Sequence, residues 1–282
     1  MRLDIPASRL LRLLLWSVAA IHLLSLGFTI VYHGFGVYDL IPYWGRIVKF
    51  FYVDKEQNLP TWFSSGILFL AALLLWRVGA AVAASGGRHR WHWRALAAVF
   101  TVLSLDEFSQ FHELGAQSDV LDAGGASYLS WLVLAAPLVL ALGLAYLRPL
   151  LRLPARIRWL MLASAALYLG GAAGIEVLGA FTGRENIGFT PGWASMGYVL
   201  AASAEELCEM LGVTLFVYAV AVHLQDLERT GTFVGARQRD EQPLGTASGA
   251  QGSPVDARAA EPSRRRTPSP ARQSDTAATR HD

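Results

Sequence analysis

Residues 13–32 read LLLWSVAAIHLLSLGFTIVY, a run without a single charged side chain. A helix of about 20 such residues is long enough to cross the roughly 30 Å hydrocarbon core of a bilayer. Arg2, Arg9 and Arg12 precede the run, and no small-residue cleavage site follows it. The pattern is typical of an uncleaved signal anchor, so the first helix is predicted to remain in the membrane.

Five later apolar runs have similar lengths, at 61–84, 94–114, 127–147, 159–181 and 195–224. The 282-residue chain is 53% hydrophobic and only 16% charged, which is more apolar surface than one soluble core of this size needs. The sequence therefore predicts an all-α fold, a polytopic membrane bundle of about six transmembrane helices.

The distribution of Lys and Arg predicts the orientation of this bundle. The N-terminus and the loops at 85–94 and 148–158 are basic, whereas 115–126 has no Lys or Arg and 182–194 has only Arg184. Because basic loops stay on the cytoplasmic side, both termini are predicted to be cytoplasmic in a multi-pass protein of the inner or plasma membrane.

Composition divides the chain into a membrane domain and two flanks. Residues 1–12 form a cytoplasmic N-terminus, 13–228 the six-helix domain, and 36–56 an aromatic and basic segment expected to lie along the outer surface. Residues 229–282 are rich in Gly, Ser, Pro and Arg and predict a disordered cytoplasmic tail. The basic residues lie mainly in loops and tail, so no nucleic-acid partner is predicted, and the lone Cys208 excludes an internal disulfide.

Acidic residues interrupt three of the predicted helices. They occur in SLDEFSQFHELG on the third helix, GAAGIEVLGAF on the fifth and SAEELCEMLG on the sixth, and none of these stretches contains Lys or Arg. At about 1.5 Å rise per residue, Asp106 lies roughly 18 Å along its helix from Arg94, which places it in the outer half of the bilayer. The other acids fall at similar depths, so they are expected to meet at one level.

A charged side chain near the bilayer centre costs about 2.5–3.5 kcal/mol, so these acids need protonation, water or a multivalent cation. Glu206-x-x-Glu209 has the i, i+3 spacing at which two side chains reach one ion. The predicted metal ligands are Asp106, Glu107, His112, Glu113, Glu176, Glu205, Glu206 and Glu209. The predicted accessory residues are Glu56, Asn58, Ser109 and Gln110, although a helix cap is the favoured interpretation of the polar stretch that contains Glu56 and Asn58.

Oxygen ligands with one imidazole indicate a divalent metal, Fe, Mn, Mg or Zn. The inventory is similar to that of the carboxylate-bridged di-iron and di-manganese sites of four-helix bundles. Those sites use Glu-x-x-His, which this chain lacks, so the similarity is one of ligand type only.

Three motifs carry a family resemblance: E-x-N-x-P-T-W-F-S (56–64), L-S-L-D-E-x4-H-E (103–113) and E-E-x-x-E-M-x-G (205–212). Together they resemble a group of uncharacterised bacterial multi-pass membrane proteins over residues 55–220. The resemblance implies a membrane location and no known activity.

Three functions remain open at this point. A metal site would activate water or oxygen on a lipid-like, apolar or other small-molecule substrate that enters from the bilayer, with no catalytic residue assigned. Alternatively, the acids share protons in a proton- or cation-coupled transporter. In the third interpretation the chain is a non-catalytic accessory protein whose acids hydrogen-bond between helices.

Overall fold

The computed structural model describes residues 5–87, 89–109, 130–175 and 196–240, and within these ranges the chain is helical and contains no β-strand. The α-helices of these ranges are α1 (Ala7–Thr29), α2 (Trp44–Phe51), α3 (Leu59–Ala84), α4 (Arg90–Ser109), α5 (Ser130–Leu151), α6 (Ala155–Leu169) and α7 (Met196–Asp240). The predicted all-α class is confirmed. α7 continues past residue 228, where the sequence placed the end of the membrane domain, and residues 241–282 lie outside the described part.

Three helical segments are long and apolar enough to cross a membrane: Ala7–Gly34, Leu59–Ala84 and Val199–Thr230. They match the first, second and sixth predicted spans. α5 contains a shorter apolar segment, Ala135–Leu151. The described part of the structure therefore contains three helices that could cross a membrane.

Two helices continue into a π-helical turn. α1 continues into Ile30–Gly34 and α6 into Gly170–Ile175. A π-turn pairs residues five apart instead of four, so it inserts one extra residue into the turn. Both turns follow long apolar stretches, and periodicity alone gave no sign of them.

The buried core lies where α1, α3, α6 and α7 face one another. Each of these helices contributes to the core a residue that is at most 1% exposed: Val18, Leu75, Ile157 and Val217. Many apolar side chains on the outer faces are exposed instead, Trp16 and Trp62 among them. Apolar outer faces are what a helix bundle presents to lipid.

The start of α3 is fixed by Asn58. Its side-chain oxygen accepts a hydrogen bond from the Thr61 backbone N–H at 3.1 Å, and Pro60 occupies the first turn. The Asn58 amide group donates to the carbonyl oxygens of Tyr52 at 2.6 Å and Lys49 at 3.2 Å. One buried side chain thus caps α3 and ties it to the segment that follows α2.

Two serines lock α3 against α4. The Ser65 hydroxyl donates to the Ser104 carbonyl at 2.8 Å, and the Ser104 hydroxyl is 2.8 Å from the Ser65 carbonyl. The two hydroxyls lie 3.1 Å apart, so either one can donate to the other. These contacts fix both the rotation and the height of α4 relative to α3.

Replacing Ser104 with Ala is expected to lower the free energy of unfolding by about 1 kcal/mol, the scale of an interhelical hydrogen bond in a membrane protein. Ser17→Ala is the control, because the Ser17 hydroxyl donates only within its own helix, to the Leu13 carbonyl at 3.0 Å. Chemical unfolding of both variants in detergent measures the difference. Equal stability of the two variants would contradict the proposed lock.

α6 and α7 approach each other closely at Gly212. A Cβ atom at this position would lie 2.8 Å from the backbone nitrogen of Tyr168 and 3.0 Å from its Cα. The Ser164 hydroxyl donates to the Gly212 carbonyl at 2.8 Å. A second close approach occurs at Gly171, where an added Cβ would meet the Glu205 carbonyl at 2.9 Å. Small residues therefore set the spacing of this helix pair.

An ion pair joins α3 and α7 elsewhere along their length. Arg77 donates to Glu228 at 2.9 Å, and both side chains are about a quarter exposed, at 30% and 25%. Arg77 lies in the sixth turn of α3, far from the Asn58 cap. α3 is thus anchored near both of its ends.

Candidate carboxylate site

A small cavity lies among α3, α4, α6 and α7. Its volume is about 10 Å³, and four polar side chains line it: Ser64, Glu107, Tyr168 and Glu209. Ile67, Leu68, Met210 and Val213 complete the wall. A space of this size holds a single water molecule or ion.

The lining groups are positioned by the contacts between helices. Ser64 is adjacent to Ser65, and Glu107 follows Ser104 by three residues, so the serine lock brings Ser64 and Glu107 to the same level. Glu209 precedes Gly212 by three residues, and Tyr168 is the residue against which Gly212 packs. The close approach of α6 and α7 therefore places Tyr168 beside Glu209.

Further carboxylates surround the cavity. Glu206 is within electrostatic range of Glu209, Glu107, Glu205 and Asp54. The Tyr168 ring lies within range of Asp106 as well as of Glu107, Glu206 and Glu209. The structure thus gathers acids from α4 and α7 around Tyr168, while Asp54, from the segment before α3, lies within electrostatic range of Glu206.

Two of these residues were missed by sequence reasoning. Asp54 opens the polar stretch DKEQNLPTWFSS, of which only later residues were selected. Tyr168 is neither an acid nor a histidine, and the 15 residues of α6 contain neither type of side chain. The available signal for Tyr168 was the small-residue stretch GGAAG, which begins two residues after it and marks a point of close helix packing.

Asp54 is held in place by Tyr52. The Tyr52 side chain is buried, and burial together with the hydrogen-bonded Asp54 carboxylate raises the pKa of the Tyr52 hydroxyl. The phenol therefore stays protonated at physiological pH and continues to donate to Asp54. Because Asn58 also binds the Tyr52 carbonyl, the α3 cap and Asp54 belong to one connected structure.

The remaining predicted site residues lie partly inside and partly outside the described ranges. Asn58 is the N-cap of α3, Glu56 is half-buried in the segment before it, and Ser109 lies in α4, at the end of the described range 89–109. His112, Glu113, Glu176 and Gln110 lie outside the described residues. Within the described ranges, no group of three or more His, Cys, Asp and Glu side chains has an arrangement that could hold a metal ion.

Comparison with known proteins gives one match. The sequence profile of a family described as "Domain of unknown function (DUF8692)" matches residues 12–224. Searches of the curated proteins and of the solved structures found no match.

Proposed function

We propose that this chain, which belongs to the DUF8692 family, is a multi-pass inner-membrane protein that binds a divalent metal ion among its carboxylate-bearing helices. The family match covers every predicted span and supports the resemblance to an uncharacterised membrane group. In this proposal six helices cross the bilayer, both termini are cytoplasmic and the site opens toward the outer side. The basic loops at 85–94 and 148–158 support that orientation.

The observation that carries the proposal is the shared cavity of Glu107 and Glu209. These two carboxylates come from α4 and α7, and the Ser64 and Tyr168 hydroxyls complete an all-oxygen polar lining. Hard divalent cations such as Mg²⁺ and Mn²⁺ prefer oxygen ligands, and Fe²⁺ accepts them. An ion-sized space with an all-oxygen polar lining supports the binding of such a cation.

Electrostatics support the same conclusion. Glu206 and its four neighbouring carboxylates repel one another when ionised, and the repulsion is strong away from bulk water. A divalent cation offsets several of these charges at once. The proposed ligands are Glu107 and Glu209 at the cavity, with Asp106, Glu205, Glu206, His112, Glu113 and Glu176 as the remaining set.

The size of the cavity limits the proposal to binding. At about 10 Å³ the space that the described residues enclose admits an ion and no organic substrate. A metal-dependent reaction on a lipid-like substrate would need a wider opening toward the bilayer. The proposed function is therefore metal binding, and catalysis would require that wider opening in addition.

Metal analysis of the purified full chain tests the proposal. Protein prepared without chelator is expected to carry close to one divalent ion per chain, measured by inductively coupled plasma mass spectrometry. Glu209→Gln is expected to lower affinity for added Mn²⁺ by at least roughly tenfold, since removing only an outer-shell partner of a metal ligand costs about tenfold to a hundredfold and Glu209 is proposed as a direct ligand. Glu107→Gln is expected to have a similar effect.

Asp226→Asn provides the matched control. It also converts a carboxylate to an amide on α7, but Asp226 is exposed and lies away from the cavity. The control should retain wild-type metal content. Wild-type protein that carries no stoichiometric metal and binds none on titration would overturn the proposal, as would Glu209→Gln and Asp226→Asn variants with equal affinities.

A second function, proton- or cation-coupled transport, is favoured by one observation. Four carboxylates lie within electrostatic range of Glu206. Among the described residues, no three His, Cys, Asp or Glu side chains are arranged so that they could hold a metal ion. Closely spaced acids share protons and titrate as a set. Flux into proteoliposomes that depends on Glu205 and Glu209, from protein that binds no metal, would establish this alternative. Absence of flux under proton, sodium and potassium gradients would eliminate it.

A further inference from the structure

A second and much larger cavity is lined by residues between Tyr32 and Lys49, none of which lines the carboxylate cavity. Its volume is about 540 Å³, within the usual range for small-ligand sites. It begins where the first candidate span ends, at Gly34, and the next candidate span starts at Leu59. The segment that forms it therefore joins two spans on one side, at the level of lipid headgroups. We propose that this cavity, the headgroup groove, binds the phosphoethanolamine headgroup of a membrane glycerophospholipid.

The groove has a rigid floor. The Trp44 indole N–H donates to the Val37 carbonyl at 3.0 Å, and the Trp44 ring packs edge-on against Phe28 of α1 at 5.4 Å between centroids. Trp44 and Val48 are buried, at 5% and 3% exposed. α2 is thereby held against α1 through one face, and the groove exists before any ligand arrives.

The opposite face of α2 supplies two cations. Arg46 and Lys49 are three residues apart, so their side chains project from the same side of the helix, and both are exposed and line the groove. The Arg46 guanidinium lies 5.4 Å from the centre of the Tyr43 ring, which restricts its orientation. A guanidinium and an ammonium side by side are the groups that bind a phosphodiester in proteins.

The groove also contains a site for a positive charge. Asp39 lines it together with the rings of Tyr32 and Tyr38, which pack against each other at 5.0 Å. A primary ammonium group pairs with a carboxylate and is attracted to the faces of aromatic rings. Two cations and one carboxylate in one groove thus match a zwitterion that carries a phosphate and an amine. A headgroup with a phosphate and no amine would leave Asp39 unmatched.

Apolar side chains at the rim fit the lipid tails. Leu40 and Ile41 line the groove and are 56% and 50% exposed, and Phe50 on α2 is 51% exposed. Exposed aliphatic and aromatic groups next to a headgroup site are positioned to contact acyl chains at the interface. The groove therefore holds a whole lipid better than a soluble phosphate ester.

The test uses native mass spectrometry of the full, delipidated chain in detergent, titrated with phosphatidylethanolamine or phosphatidylglycerol of identical acyl chains. Wild type is expected to bind phosphatidylethanolamine more tightly. Arg46→Gln and Lys49→Gln should each weaken that binding about fivefold, and the double variant roughly 20-fold. Asp39→Asn should remove the preference for phosphatidylethanolamine.

Lys55→Gln is the matched control, because Lys55 is an exposed cation of the same connecting segment that does not line the groove. It should bind both lipids as wild type does. The inference is overturned if the double variant binds like the control, or if wild type shows no preference between the two lipids. Tighter binding of soluble glycerophosphoethanolamine than of the lipid would also overturn it. The test is independent of the metal proposal, since none of the substituted residues lines the carboxylate cavity or is a proposed metal ligand.

Discussion

Gly212→Ala is expected to destabilise the protein by about 3 kcal/mol, which corresponds to a fall in melting temperature of roughly 6–12 °C. The added methyl group would lie 2.8 Å from the backbone nitrogen and the Cβ of Tyr168 and 3.0 Å from its Cα. A backbone cannot rotate away as a flexible side chain can, so α6 and α7 must separate. Separation also stretches the 2.8 Å hydrogen bond from Ser164 to the Gly212 carbonyl.

Gly66→Ala is the control for this variant. Gly66 is also a helical glycine, on α3, but an added Cβ there would meet nothing within 4 Å. Alanine at such a site is expected to stabilise the helix by about 0.5–1 kcal/mol. Thermal unfolding in detergent compares the two variants. Similar melting temperatures for both would show that the α6–α7 contact is not tight in the folded protein.

Asn58→Ala is expected to lower the free energy of unfolding by about 2–4 kcal/mol. The substitution removes the cap of α3, worth about 0.5–2 kcal/mol, and leaves the buried carbonyl of Tyr52 without its amide donor, which costs about 1–3 kcal/mol. Because the Tyr52 segment carries Asp54, the variant should also reduce metal binding.

Asn58→Asp separates the two contributions. A carboxylate keeps an oxygen to accept the Thr61 N–H but has no N–H to donate to the Tyr52 and Lys49 carbonyls. Its loss of stability is expected to be intermediate between wild type and Asn58→Ala. Unfolding by denaturant measures all three proteins. A loss of unfolding free energy below about 0.5 kcal/mol for Asn58→Ala would contradict the proposed role of Asn58 in capping α3 and tying it to the Tyr52 segment.

Much of the secondary structure could be predicted from the sequence because apolar length and helix-starting residues are local signals. Asn58 and Pro60 mark the start of α3 within two residues of the predicted 61, and the second predicted span, 61–84, ends with α3 at Ala84. The first run was predicted from residue 13, whereas α1 begins at Ala7, since Arg9 and Arg12 are good helix formers that a search for apolar residues leaves out.

Of the candidate site, only acidic residues on the predicted helices could be predicted from the sequence. Helical rise gives the depth of Glu107 or Glu209 along its own helix, but which helices become neighbours depends on packing. Tyr168 enters the site because Gly212 allows α6 to approach, and that is a property of two distant positions together. Asp54 enters through Tyr52 and Asn58, a tertiary arrangement that no periodicity encodes.

The π-helical turn at Gly170–Ile175 has a consequence for tracing the history of this family. A π-turn holds one residue more than an α-turn, so inserting a single codon into a helix would produce such a turn. Relatives that lack the insertion should be one residue shorter between the tyrosine equivalent to Tyr168 and the acidic residue that follows the turn. An alignment that places its gap in a loop instead would pair the wrong small residues along this stretch. If relatives differ in this turn, the length of the segment would separate lineages within the family.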